Sequence, residues 1–425
     1  MPKAFKLPLT SEQFEDALQN GLGRALMHVR RHGLDGYRGL FLRACLYDHT
    51  FDSQCEGGRT PWLMDFFEGS PEWLAEPLFV KLCQLNPEEC QSWDQWCELA
   101  GRLAERGSAP ALQGLYAAFH VDEDEHLWGC EQLLTVEGEK GLLWIARQLN
   151  RRQLLDHYTV RRLVEDFDEL YGEGSAVAVL RGAPDEQVGK VLRRLQRAEP
   201  RWHTADRRPA ESDLSPYEAV RLLSSYPLSR WAKAAGPETL SELAALLRTS
   251  RHPEVLKKVL FCFMGEGLPR FDQVLLKLAE HPEREIARRA RWVMGHHRRP
   301  EVRQKALGWI SRGELDNGRL RALMSCFQRP DIATLSSAVA FFVEEKPDRE
   351  SLHCALSDLL ELAKKNLCRE LQPLLLLIYQ NTPCTNCRLS SVETMLELEV
   401  LPDWVAEECR YDCEELIRKL VTGED

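Results

Sequence analysis

The chain is 425 residues long and carries 55 Lys and Arg against 66 Asp and Glu, a formal net charge of −11 at pH 7. That balance excludes a general polyanion binder, whose overall field would have to attract phosphate chains, and no apolar run reaches the ~18 residues a membrane span needs. The opening MPKAFKLPLTSEQFEDAL has no signal-peptide core, so the fourteen cysteines read as reduced thiols and the expectation is a cytoplasmic protein.

Long amphipathic stretches without alternating Val/Ile runs predict an all-α fold. In chain order, a first helix is expected over 11–30 (Phe14, Leu18, Leu22, Leu26), with Thr10 as N-cap and Gln13 as its capping-box partner. A second helix follows at 36–47. The stretch 47–69 reads as an extended loop because Gly57, Gly58 and Pro61 interrupt it. Helices resume at 70–85, 87–106 and 109–119, an acidic segment covers 122–139, and helices return at 140–150, 159–171 and 185–198. The prolines and polar residues of 198–216 mark a linker. It divides an N-terminal helical domain, 1–197, from a second domain, 217–425.

The second domain contains a near-repeat. His252-Pro253-Glu254-Val255 and His281-Pro282-Glu283-Arg284 each open a segment ending in Met-Gly, at Met264-Gly265 and Met294-Gly295. Arg299-Pro300-Glu301 and Arg329-Pro330-Asp331 repeat the opening. Proline suits the first turn of a helix and the acid after it suits the positive end of the helix dipole. Behind these starts the apolar period is helical: Val255, Leu256, Val259, Leu260 and Phe263, then Ile286, Ala290, Val293 and Met294. Gly265 and Gly295 are expected as left-handed C-terminal residues. The segment HPEREIARRARWVMGHHRRPEVRQKAL resembles a HEAT repeat, and the resemblance extends over about 240–345. It implies a right-handed α-solenoid of helix pairs, in which each unit leans on its neighbours.

Three groups of residues are candidates for a site. Cys384-x-x-Cys387 and Cys409-x-x-x-Cys413 have the short paired spacings of a tetrahedral zinc site, with Cys409 and Cys413 expected on one helix face. The bland alternative is core and loop thiols, with no cofactor. Asp48, His49, Asp52, Glu56 and Arg59 crowd the 47–69 loop, where a helical scaffold presents recognition residues. Cys55 beside Glu56 has the residue types of an activated nucleophile, but no His-Glu-x-x-His or serine-elbow spacing accompanies it. The bland reading has the two aspartates bonding loop backbone and Arg59 pairing with one of them. Arg284, Arg288, Arg291, Arg298, Arg299 and Arg303 form a local basic stripe with Trp292 and Trp309 interleaved. Such a stripe suits phosphate and base stacking, or else serves as an internally bonded face.

The reading that follows is a non-enzymatic scaffold or adaptor that binds a protein partner along an extended helical surface. The alternative is a nucleic-acid-binding or glycosylase-like HEAT protein that uses the stripe at 284–321, since HEAT-like solenoids include alkylpurine DNA glycosylases.

Overall fold

A computed structural model describes residues 4–52, 56–69, 71–84, 92–121, 126–154, 156–195, 214–315 and 318–423. The acidic run 122–125, Cys55 and all of the expected linker up to 213 lie outside the described residues. The first half is built from α1 (Ser11–Asn20), α2 (Arg24–His32), α3 (Arg38–Leu46), α4 (Thr60–Met64), α5 (Glu72–Gln84) and α6 (Trp93–Glu105). It continues with α7 (Ala109–Ala118), α8 (Cys130–Glu137), α9 (Glu139–Arg151), α10 (His157–Tyr171), α11 (Ser175–Gly182) and α12 (Glu186–Leu195). The second half begins with α13 (Pro216–Leu222), α14 (Ser225–Ala234), α15 (Pro237–Thr249), α16 (Pro253–Cys262), α17 (Val274–Leu278), α18 (Arg284–Met294) and α19 (Pro300–Ile310). It ends with α20 (Arg319–Ala322), α21 (Asp331–Glu344), α22 (Arg349–Lys365), α23 (Gln372–Asn381), α24 (Thr385–Glu397), α25 (Asp403–Cys409) and α26 (Glu415–Thr422). One short antiparallel ribbon, His120–Val121 against Leu127–Trp128, interrupts this all-α fold.

Helices two apart touch in sequence: α16, α18, α20, α22, α24 and α26 form one such series, and α19, α21 and α23 form another beside it. The first half repeats the pattern through α4, α6, α8, α10 and α12. The apolar stripes read from the sequence face inward, with Ile286, Ala290, Val293 and Met294 fully buried. Two cores result, one drawn from residues 9–191 and one from 219–417. Each borrows from the other half: Phe51 packs against the second core, and Tyr411 and Cys413 against the first.

Several local expectations need correction. The capping box at Thr10 and Gln13 is present, but the helix it starts ends at Asn20, not at residue 30. Gly21 is left-handed (φ +67°) and its N–H donates to Ala17 and Leu18, which stops α1. Prolines 253 and 300 do open helices, whereas α18 starts two residues after Pro282, with Glu283 as N-cap. Gly295 is right-handed, not left-handed. Its lack of a side chain serves packing instead, because a Cβ there would collide with the Arg321 carbonyl. The left-handed residue after α16 is Gly267 (φ +80°), two places beyond Gly265.

The first helices pack directly on the last. Trp62 Nε1 donates to the Tyr411 carbonyl at 2.8 Å, the Cys413 N–H donates to the Gly21 carbonyl at 3.0 Å, and Arg24 pairs with the fully buried Glu408. Beneath them Arg388 forms a two-pronged ion pair with Asp412, both N···O distances 2.9 Å and both side chains fully buried. The same guanidinium donates to the Asn20 carbonyl at 2.7 Å. No helix among the described residues is long and apolar enough to cross a membrane.

Candidate functional site

The loop after α3 and the Cys384-x-x-Cys387 pair, treated as separate features in the sequence, meet in the fold. Glu56 is buried, and its carboxylate accepts the N–H of Thr385 at 3.0 Å and that of Phe51 at 3.3 Å. The Phe51 ring lies on the His353 imidazole, with centroids 4.3 Å apart and planes 34° from parallel. Arg349, at the start of α22, donates to the His49 carbonyl at 2.8 Å and lies over the Phe51 ring. Asp48 bonds the Thr50 N–H, as an aspartate that shapes its own loop should. The Asp52 carbonyl accepts the Glu56 N–H. Arg59 corrects the expectation of an aspartate partner: its Nη1 caps the C-terminal end of α1 at the carbonyls of Leu18 and Gln19. Of the five loop residues, Glu56 and His49 therefore fasten the two halves together, while Asp48, Asp52 and Arg59 bond within the first half. Burial, then the neighbouring cations Arg59 and Arg349, push the His49 imidazole down to about 4, so it is neutral at pH 7.

Under this loop the sulfurs of Cys384 and Cys387 and one ring nitrogen of His353 lie within 4.8 Å of one another. Cys384 is the N-cap of α24, so both sulfurs sit at the positive end of a helix dipole. A hydrogen bond from the Cys384 thiol holds Cys387 below the ordinary thiol range against the opposing effect of burial. The same bond, then burial, pushes Cys384 well above that range.

Cys409 and Cys413 are not part of this cluster. The Cys409 sulfur is fully buried and faces the Tyr379 hydroxyl at 3.7 Å. Cys413 is not on a helix with it: α25 ends at Cys409, α26 begins at Glu415, and Cys413 lies between, against Gly21 and Arg388. The expected four-sulfur set thus separates into a pair and two thiols packed elsewhere. His353 carried no sequence signal, being an isolated histidine 31 places before Cys384.

Half of the arginine stripe, Arg288, Arg291 and Arg303, is bonded within the protein, whereas Arg284, Arg298 and Arg299 are exposed. Arg288 pairs with Glu285, Arg303 pairs with Asp331 at the start of α21, and Arg299 covers the Phe271 ring. Arg291 is 5% exposed, donates to the Ala279 carbonyl at 2.9 Å and lies over Trp309. Trp309 is buried and bonds Glu280, and Trp292 is covered by Arg321 at 3.8 Å, so neither ring is free for a base. Arg284 is exposed and has an interaction partner, whereas Arg298 is exposed and forms no ion pair with a described residue. Replacing Arg291 with glutamate is expected to cost about 3 kcal/mol or more, since it buries an uncompensated charge. Arg298→Glu should shift stability by less than ~0.5 kcal/mol. Thermal denaturation of the two variants checks this, and equal melting points would show Arg291 to be solvated.

A different surface remains open. Between α21 and α23 runs a groove of about 660 Å³ with Ile332, Ala333, Ala340, Val343 and Leu377 along it. Arg329 and Glu370, 3.2 Å apart, close one end, and Glu344 and Asn381 flank the other. Beside α21 a second hollow is lined by Ala333, Ser337 and Phe341, the last of which is 54% exposed.

No family model, curated protein or solved structure matches this chain in comparisons with known proteins.

Proposed function

We propose that the chain is a non-enzymatic scaffold, a HEAT-like α-solenoid that docks an amphipathic helix of a protein partner in the groove between α21 and α23. The open, apolar groove carries this reading. The Arg329 end of the groove adjoins the starts of α21 and α23 and the Glu344 end adjoins their ends, so the two helices run the same way and define a straight trough. A helix of 14 residues is ~21 Å long, and such a trough takes about three to four turns of a partner helix. Small residues on α21 (Ala333, Ser336, Ala340) let a backbone come close. Glu344 forms no ion pair with a described residue, so the docked helix carries a lysine or arginine at that end. The series of helices in contact two apart supports the solenoid, and the internal bonding of Arg288, Arg291 and Arg303 favours a protein partner over a nucleic acid.

A photo-crosslinking residue placed at Ala333 in cells tests the proposal. The expected adduct is a basic amphipathic helical segment, and Ala340→Arg, which fills the groove, should remove it while the melting point stays within a degree or two of the parent. Adducts that Ala340→Arg leaves unchanged, or adducts to nucleic acid, overturn it.

A further inference from the structure

The trio of His353, Cys384 and Cys387 is built like a metal site. The imidazole comes from α22 and the two sulfurs from the N-cap and first turn of α24, so three donors arrive from two packed elements. Cys387 Sγ is 3.9 Å from His353 Nδ1. A tetrahedral zinc ion with bonds of ~2.3 Å to sulfur and ~2.1 Å to nitrogen holds sulfur and nitrogen about 3.6 Å apart and two sulfurs about 3.8 Å apart. The observed separation already lies close to that geometry. Both cysteines are more than nine-tenths buried, and the face of the imidazole is packed against Phe51, which fixes its orientation as a ligand requires. Thr382 Oγ1 accepts the Cys384 N–H at 3.3 Å, and Glu56 accepts the Thr385 N–H, so the backbone that carries the thiols is tied on both sides.

We propose that His353, Cys384 and Cys387 bind one zinc ion, with the fourth tetrahedral position taken by a donor outside this trio. Two thiolates and a neutral imidazole are the soft and borderline ligands that zinc prefers. Binding releases the two thiol protons, and the two thiolates balance the charge of the ion. The ion joins α22 to α24. Because Phe51 and Glu56 rest on those ligands and their neighbour, it also steadies the loop from the first half. This site depends on neither the groove nor its occupant.

Untagged protein purified without added metal should contain one zinc per chain by elemental analysis. His353→Ala, Cys384→Ser and Cys387→Ser should each lower that content to background, while Cys409→Ser and Cys413→Ser keep it. X-ray absorption at the zinc edge should count at least two sulfurs and one imidazole nitrogen in the parent protein. That measurement decides the matter even where a ligand variant fails to fold. Chelation should speed hydrogen exchange in the loop around Phe51 and in the first turn of α24, and leave α16 and α18 unchanged. Absence of stoichiometric zinc, zinc retained when both Cys384 and Cys387 are serine, or a Cys384–Cys387 disulfide in the purified protein each overturns the assignment.

Discussion

Replacing Asp412 with alanine is expected to cost about 3–5 kcal/mol, because it strands a buried guanidinium without its counter-ion. Arg388 and Asp412 are both fully buried, and the pair is two-pronged, with both contacts at 2.9 Å. Asp412 also accepts the Glu414 N–H, so its loss disorders the turn between α25 and α26 as well. The carbonyls of Asn20 and Gly21 that share the guanidinium cannot neutralise it. The exposed pair Arg161–Glu165 provides the contrast, since breaking it should cost less than ~1 kcal/mol. Chemical denaturation of Asp412→Ala and Arg161→Ala compares the two. If their midpoints match, water reaches Arg388 and the pair is not what holds the two halves together.

Gly23→Ala should be at least as damaging for a purely steric reason. A Cβ at residue 23 would overlap the Glu408 carbonyl and approach the backbone of Tyr411 and Asp412, which are main-chain atoms unable to rotate aside. Overpacking of this kind reaches ~3 kcal/mol or more when no flexible side chain can yield. The alternative is that the first helices undock, which would show as protease cleavage in α1–α3. Gly36→Ala is the control, with nothing within 4 Å of its Cβ and no positive φ. If Gly23→Ala melts with Gly36→Ala, the close approach of α2 to the Glu408–Asp412 segment does not occur in solution.

What the sequence showed follows the range of each interaction. Apolar period is a local property, so the buried stripe of Ile286, Ala290, Val293 and Met294 was legible, as were the proline starts at residues 253 and 300. Local rules misjudged Gly295, whose need for a missing side chain comes from Arg321 on another helix. The partners of the arginine stripe lie beyond local rules for a similar reason. Counting charges over 284–321 does not reveal that Arg303 meets Asp331, or that Arg321 meets Asp358, 37 residues on. The candidate site was half legible. The Cys384-x-x-Cys387 spacing pointed to it, but the spacing of Cys409 and Cys413 was equally suggestive and belongs to a helix end and a loop. His353 and the loop residues Phe51 and Glu56 join the pair only through tertiary packing. No spacing rule links positions some 300 residues apart.

The contact of the first helices with the last also bears on how the molecule reaches its folded state. Most packing here is between helices close in sequence, and such contacts form early because they close short loops. The Arg24–Glu408 pair spans 384 positions, and the Arg388–Asn20 bond spans 368. Neither can form until the helices between them have settled, since only then are the two surfaces brought together at small entropic cost. The clasp is therefore expected to be the last step of assembly. Until it closes, Arg388 and Glu408, both fully buried in the folded protein, stand in water.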